Sequence, residues 1–177
     1  MDYQAYGNEG ARQKGRAVLD QMTEPGIRAF IEKISRVLAP RGHLMLWVDK
    51  FHLVQGITPW IDGLGMKTVD LVTWDKGRIG MGYRTRRRCE YLVVLQKLPV
   101  RAKGVWTAHD IPDVWQEKLP QRGKEHAHVK PEGLQTALIA ATTAPGEIVI
   151  DPAAGSFSVM RSAHAAGRRF LGVDIRG

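Results

Sequence analysis

The chain has 177 residues, of which 44% are hydrophobic and 25% charged, a composition typical of one folded domain with an ordinary core. No apolar stretch approaches the roughly 20 residues needed to cross a bilayer, and no secretion signal follows Met1, which disfavours a membrane protein. The single cysteine, Cys89, excludes an internal disulfide and favours a reducing, cytoplasmic location. The net charge is +8, and the positions of the basic residues indicate what kind of partner this charge favours.

The first half of the chain predicts helices and three strands. Pro25 opens a stretch in which apolar residues recur every three or four positions, and Pro40 ends it. Short apolar runs then predict strands, with a helix or broken helix between the first two. These elements are a helix at 26–39, strands at 42–49, 67–74 and 89–97, and the helical segment at 51–65. A shorter helix is predicted from about Arg12 to Met22.

The second half predicts a strand–helix–strand unit after a long irregular segment. Residues 98–125 show no steady periodicity and contain Trp106, Trp115 and three prolines, which is typical of an inserted surface module or a long functional loop. The later elements are a helix at 131–143, a strand at 147–151, a helix at 158–167 and a strand at 169–175. Because such a unit places its two strands side by side and parallel, the sequence predicts one α/β domain over 1–177 with a mostly parallel sheet.

Positive charge is concentrated in one segment. Residues 78–103 hold eight lysines and arginines and one acid, Glu90, and so carry almost all of the excess charge. Lysine and arginine gain affinity for nucleic acid by releasing phosphate counterions, which favours a polyanionic partner over a solvated basic face or a charged hairpin turn. The candidate DNA-binding residues are Arg78, Arg84, Arg86, Arg87 and Arg88.

Two acids follow consecutive strands near the C terminus. The run IVID ends at Asp151, PAAGS then turns, and the next strand ends at Asp174. Parallel strands deliver such side chains to one edge of the sheet, and Gly155 lets the backbone approach a ligand closely. The pair predicts a ligand that contains a nucleoside, because the second acid can accept hydrogen bonds from a ribose diol; the alternative is two ordinary strand-end residues. The missing second and third glycines disfavour a nicotinamide dehydrogenase.

Two blocks of the sequence resemble the amino-group DNA methyltransferases in their permuted β arrangement. One is HAHVKPEGLQTALIAATTAPGEIVIDPAAGSFSVMRSAHAAGRRFLGVDI, and the other is GMKTVDLVTWDKGRIGMGYRTRRRCEYLVVLQK. The likeness covers about residues 26–177 and is interrupted at 98–125. It implies a class I methyltransferase fold, a Rossmann-like three-layer sandwich. It also makes the variable segment 98–125 the target-recognition region, with its tryptophans expected in local core.

The resemblance implies a site-specific enzyme that transfers a methyl group from S-adenosylmethionine to adenine N6 or cytosine N4 in double-stranded DNA. Asp174 would bind the cofactor's ribose, and Lys130 and Pro131 match a block that flanks the cofactor. The residues implied to line its methionine part are Asp151, Ala153, Gly155, Ser156 and Phe157.

The sequence departs from the family pattern in its cofactor loop and in its catalytic motif. Ala153 replaces the usual Phe, and Phe157–Ser158 replaces Gly-Thr. The motif Asp/Asn/Ser-Pro-Pro-Tyr/Phe/Trp, which accepts the amino hydrogens and stacks on the flipped base, does not occur: no two of the nine prolines are adjacent. In the permuted order this motif precedes the first helix, so we expect the sheet to lack a central strand as well.

The catalytic residues are therefore unassigned, although Tyr3 and Tyr6 are candidates for stacking on a flipped base. A second hypothesis is a non-catalytic DNA-binding or partner subunit that keeps the cofactor pocket. We also expect a homodimer or a complementing subunit as alternatives to a chain that works alone.

No metal site is predicted. The histidines of HAH, His126 and His128, lack cysteine or acid partners at ligand spacing. Cys89 opens a strand and is predicted to be structural, which disfavours cytosine-C5 methylation.

Overall fold

The computed structural model describes residues 22–80, 84–118 and 129–174. These residues contain both helices and strands, as predicted. In chain order they are α1 (Glu24–Val37), β1 (His43–Val48), α2 (Lys50–Gln55), α3 (Thr58–Ile61), β2 (Met66–Asp75), β3 (Cys89–Lys97), β4 (Val114–Gln116), α4 (Glu132–Thr142), β5 (Ile148–Asp151), α5 (Ser158–Ala165) and β6 (Arg169–Gly172). The short helix predicted before Met22 lies outside the described residues.

The first sheet has four strands in the order β1-β3-β2-β4. β3 is antiparallel to both β1 and β2, and β4 is parallel to β2. Three of the four strands therefore run in one direction, and the sheet is mixed. The carboxyl ends of β1 and β2 meet the beginning of β3, so side chains from all three strands share this edge.

Helices cover both faces of the first sheet. Residues Leu92–Leu95 of β3 are all buried, and successive side chains point to opposite faces. Val93 and Leu95 pack with Ile31 of α1 and with α3, whereas Leu92 and Val94 pack with α4. This gives the three layers of the predicted sandwich.

The first helix begins close to Pro25, where the sequence predicts its start. The hydroxyl of Thr23 accepts a hydrogen bond from the Gly26 N–H at 3.2 Å, and Pro25 occupies the first turn, where its missing N–H is tolerated. Ile31 is completely buried on the sheet side. The predicted broken helix at 51–65 is confirmed as α2 and α3, which Gly56 separates with a φ of 90°.

The second sheet consists of β5 and β6, which are parallel and joined by α5. This confirms the predicted strand–helix–strand unit, and α5 packs against α4 and both strands. Among the described residues, β1 pairs only with β3 and β5 pairs only with β6. The expectation that a further strand belongs in the sheet stays a prediction.

The irregular segment after β3 packs against the first sheet. Trp106 and Trp115 are half-buried beside the cluster formed with α4, as expected of local core. The Trp74 indole N–H donates to the Glu117 carbonyl at 2.8 Å. The sequence did not predict β4, a three-residue strand that extends the sheet through this segment.

Candidate functional site

The loop between β5 and α5 is closed against the end of β6 by hydrogen bonds. The Ala154 N–H donates to the Val173 carbonyl at 3.0 Å, and the Val173 N–H donates to the Asp151 carbonyl at 3.2 Å. The Gly155 N–H donates to the Asp174 carboxylate at 3.0 Å. The structure thus brings together the two acids and the glycine that the sequence predicts at one edge of the sheet.

Burial and the nearby charge of Asp174 disfavour the negative charge of Asp151. Burial raises the pKa of Asp151, and so does the charge of Asp174 to a smaller extent. The Ala153 N–H donates to the Asp151 carboxylate at 3.1 Å and lowers this pKa, but the net change is upward. Both side chains are half-buried. This edge therefore favours ligand groups that donate hydrogen bonds or carry positive charge.

Two residues of the loop have left-handed backbone conformations. Gly155 has a φ of 51°, and a Cβ placed on it would meet only the Ala153 carbonyl oxygen, at 3.9 Å. The space above its Cα is thus open to a ligand. Phe157 has a φ of 55° in spite of its side chain, which costs about 1–2 kcal/mol and requires support from the surroundings. Its ring packs edge-on against Phe170, with centroids 6.3 Å apart.

Arg161 provides part of this support, and the sequence did not single it out. Its guanidinium donates to the Ser156 carbonyl at 2.8 Å and to the Glu132 carboxylate at 2.9 Å. The beginning of α4 is thereby attached to the loop. Pro131, the residue before α4, is fully buried, so its side chain packs in the core beside the site.

Lys130 belongs to a second cluster, at the carboxyl ends of β1 and β2. Glu90 pairs with both Lys130 and Lys76, the latter at 3.3 Å. Burial would raise the pKa of Glu90, but hydrogen bonding and charge attraction to Lys130 and Lys76 outweigh it, and the pKa is lowered. The Lys130 ammonium also lies 4.7 Å from the centre of the Trp47 ring, a favourable cation–π geometry. Two cations share one carboxylate, so the cluster of Lys76, Lys130 and Glu90 carries a net positive charge.

The basic segment between β2 and β3 (76–88, the basic hairpin) connects two antiparallel strands, and hydrogen bonds pair its described parts, 76–80 and 84–88. The Gly80 N–H donates to the Arg87 carbonyl at 2.6 Å, and the Lys76 N–H donates to the Arg88 carbonyl at 3.1 Å. The Arg88 guanidinium binds the Asp75 carboxylate through two hydrogen bonds of 2.7 Å. These bonds hold the pKa of Asp75 well below its usual range. The charge of Arg88 is thus largely compensated within the hairpin.

The other candidate arginines remain exposed on the hairpin. Arg86 donates to the Gly80 carbonyl at 3.0 Å. Within the described part of the chain, the side chains of Arg78, Arg84 and Arg87 make no ion pair or hydrogen bond and are exposed. The described part of the hairpin therefore presents a basic surface.

Glu117 connects the segment after β3 to the beginning of α4. Its carboxylate accepts hydrogen bonds from the N–H groups of Gly133 and Leu134, at 3.0 and 3.1 Å, and from the Trp115 indole N–H at 2.8 Å. Pro131 provides no side-chain cap, so a residue distant in sequence satisfies the free N–H groups of the helix. A Cβ on Gly133 would lie 2.5 Å from Oε2 of Glu117, so a side chain there would displace the capping carboxylate.

Several predicted residues lie outside the described residues, namely Tyr3, Tyr6, His126 and His128. In the described ranges, no group of three His, Cys, Asp or Glu side chains is placed to hold a metal ion. No helix in those ranges is long and apolar enough to cross a membrane.

The sequence profile of the N6/N4 DNA methylase family matches residues 23–177. The chain belongs to this family. The type II methyltransferase M.HhaII from Haemophilus parahaemolyticus is 53% identical over 177 residues, which cover 99% of this chain and 77% of the relative. The N6/N4 DNA methylases are enzymes that use S-adenosylmethionine to methylate amino groups of bases in double-stranded DNA.

Solved structures place this DNA methylase in the class I methyltransferase fold. The cytosine-N4-specific PvuII DNA methyltransferase superposes with a TM-score of 0.71 at 15% identity, over 85% of this chain and 65% of that one. The M1.HpyAVI–SAM complex gives a TM-score of 0.67 at 19% identity, over 83% and 75% of the two chains.

The residues at the carboxyl ends of β5 and β6 fit S-adenosylmethionine chemically. Asp151 and Asp174 supply acceptors for hydroxyl and ammonium groups, and the ligand carries both. Gly155 leaves open space over its backbone. The ligand has no pyrophosphate, so one glycine in place of three is sufficient.

Proposed function

We propose that residues 151–157 together with Asp174 form the S-adenosylmethionine site of this DNA methylase. The observation that carries the proposal is the 3.0 Å hydrogen bond from the Gly155 N–H to the Asp174 carboxylate, at the ends of two parallel strands. It places the acid beside the one loop position that is open to close approach. Ligands of open α/β sheets bind at this edge.

Different residues of the site bind different parts of the cofactor. Asp174 accepts hydrogen bonds from the ribose hydroxyls, while Asp151, Ala153, Ser156 and Phe157 surround the methionine part. Burial, with a smaller contribution from the charge of Asp174, raises the pKa of Asp151, and the positive charge of a bound sulfonium and ammonium stabilises its carboxylate form. When bound, S-adenosylmethionine supplies an electrophilic methyl group, and the protein's contribution is to fix its direction.

We propose that the basic hairpin binds DNA phosphates through Arg78, Arg84, Arg86 and Arg87. Arg88 contributes by holding the hairpin to Asp75. Residues 98–125 form the target-recognition region, whose described part rests on the sheet beside β2. Phosphate contacts fix the position of the protein on the duplex, and the recognition region reads the sequence.

The activation of the target amine is not assigned to a residue of this sequence. An exocyclic amine needs acceptors for its hydrogens and a stacking partner for the flipped base, and the 177 residues contain no Pro-Pro motif. This observation supports a second candidate, a partner subunit that binds cofactor and DNA and is complemented by a different chain. Because the substrate is DNA and the only cysteine is Cys89, we propose a cytoplasmic location.

A labelled-methyl assay with the purified 177-residue chain tests these proposals. We expect binding of S-adenosylmethionine in calorimetry and of duplex DNA in gel shift, with little or no methyl transfer. Binding accompanied by rapid transfer would disprove the need for a complementing segment. A chain that binds neither ligand would refute the proposed sites.

A further inference from the structure

We propose that Arg161 is a positioning residue that holds the 152–157 loop in its cofactor-binding conformation. The inference rests on the proposed function of that loop. Arg161 lies one turn into α5, and the sequence predicted no role for it. Its role follows from the groups that its side chain connects.

The guanidinium binds two elements at once. Its Nη1 donates to the Ser156 carbonyl at 2.8 Å, and its Nε donates to Oε1 of Glu132 at 2.9 Å. The same carboxylate oxygen also contacts Nη2. Because the planar guanidinium presents its donors in a fixed geometry, the position of Glu132 determines where the Ser156 carbonyl is held.

The Ser156 carbonyl belongs to the peptide that enters the strained part of the loop. Phe157, the next residue, has a φ of 55° and precedes α5 without providing a side-chain cap. If this peptide rotated, Phe157 could relax to an ordinary conformation, and the preceding Gly155 N–H would turn away from Asp174. Arg161 opposes this rotation by holding the carbonyl.

The other end of the contact is firmly attached. Glu132 is the first residue of α4, whose N–H groups at Gly133 and Leu134 are capped by Glu117. The Ser162 hydroxyl also donates to the Glu132 carbonyl at 3.2 Å. The loop is therefore positioned relative to α4 through Arg161, not only by its own short hydrogen bonds.

The decisive experiment measures S-adenosylmethionine affinity by calorimetry in the full 177-residue chain. Arg161→Met removes both contacts and keeps the bulk of the aliphatic side chain; we expect the Kd to rise about tenfold. Arg161→Lys supplies one compact donor group and should recover part of the affinity. Glu132→Gln keeps a neutral acceptor and should give a smaller loss.

Arg36→Met is the matched control. Arg36 makes a similar ion pair with Glu32 along α1, at 2.6 Å, far from the loop in sequence. It should leave the affinity unchanged. Duplex DNA affinity should be unchanged in all of these variants, since none lies in the basic hairpin.

A double-variant cycle separates positioning from general stabilisation. If Arg161 acts by presenting Gly155 and Asp174, then Arg161→Met should weaken binding much less in an Asp174→Ala background than in the wild type. Equal effects in both backgrounds would overturn the proposal. If Arg161→Met does not fold, the cycle is run with Arg161→Lys, and the same comparison decides.

The outcomes also distinguish this inference from the proposed function. Binding that is weakened by Asp174→Ala but unchanged by Arg161→Met and Arg161→Lys would overturn the role of Arg161 alone. A wild-type chain that does not bind S-adenosylmethionine, or binding insensitive to Asp174→Ala, would overturn the site and the inference together.

Discussion

Gly155 and Asp174 are 19 residues apart in sequence, and their N–H and carboxylate groups meet at 3.0 Å. The contact forms because β5 and β6 are parallel neighbours and α5 returns the chain between them. It closes the loop over the strand ends. A ligand that binds here meets a loop whose backbone is already organised, which reduces the entropy lost on binding.

Asp174→Ala should weaken S-adenosylmethionine binding by about tenfold or more, because a hydrogen bond to a charged group contributes about 1.5–3 kcal/mol. Asp174→Asn keeps an acceptor oxygen and should retain more affinity than the alanine variant. Calorimetry measures both. Unchanged affinity in Asp174→Ala would remove this residue from the site.

Replacing both Arg84 and Arg87 by alanine should lower DNA affinity and reduce the slope of log affinity against log salt by about two. The matched control, Lys33→Ala with Lys67→Ala, removes the same charge from exposed positions outside the hairpin. Arg88→Ala should reduce the slope less, because Asp75 already compensates that charge. Gel shifts over a range of salt concentrations measure these slopes, and an unchanged slope would exclude the hairpin from the interface.

Asp151→Asn should make the unliganded protein more stable at neutral pH, by less than about 1 kcal/mol because the side chain is partly exposed. The pKa of Asp151 is raised in the folded state. Protonation of Asp151 therefore stabilises the folded protein, and this stabilisation is complete below the ordinary pKa of 3.8. It is lost as the pH rises through the raised pKa. The advantage of the variant should therefore disappear near pH 3.8. Urea unfolding at neutral pH and near pH 3.8 measures the difference in stability between the variant and the wild type, with Asp62→Asn as the control. A difference that is the same at both pH values would contradict this prediction.

Glu117→Ala should destabilise the protein by about 1–2 kcal/mol, because two N–H groups of α4 and the Trp115 indole lose their acceptor. Glu117→Gln retains one acceptor oxygen and should cost less. Asp113→Ala removes an exposed acid of the same segment and should change the free energy of unfolding little. Urea denaturation measures all three, and a neutral Glu117→Ala would show that water replaces the cap.

The sequence predicts most of the fold because its long elements carry strong local signals. Leu92–Leu95 form a continuous apolar run, as expected of a strand covered on both faces, and Pro25 marks the beginning of α1. β4 could not be predicted in this way. It has three residues, and its existence depends on pairing with β2, about 40 residues earlier in the chain.

In the candidate site, too, some residues could be predicted from the sequence and others could not. Asp151, Gly155 and Asp174 could be predicted because each stands at a strand end or in the turn between strands. Arg161 and Glu117 could not, since an arginine inside a helix and a glutamate in an irregular segment look like ordinary surface residues. Their partners are groups on other elements, and only the packing of α4 brings them together.

The attachment of Glu117 to α4 limits how freely the proposed target-recognition region can be exchanged. Exchanging the whole of 98–125 for the corresponding segment of another methylase would also remove a helix cap and an indole contact that belong to the core. Grafts that begin after Glu117, or that carry a glutamate at that position with the tryptophan two residues before it, would keep the scaffold intact. The boundary between the exchangeable and the fixed parts of this enzyme thus lies inside the variable segment.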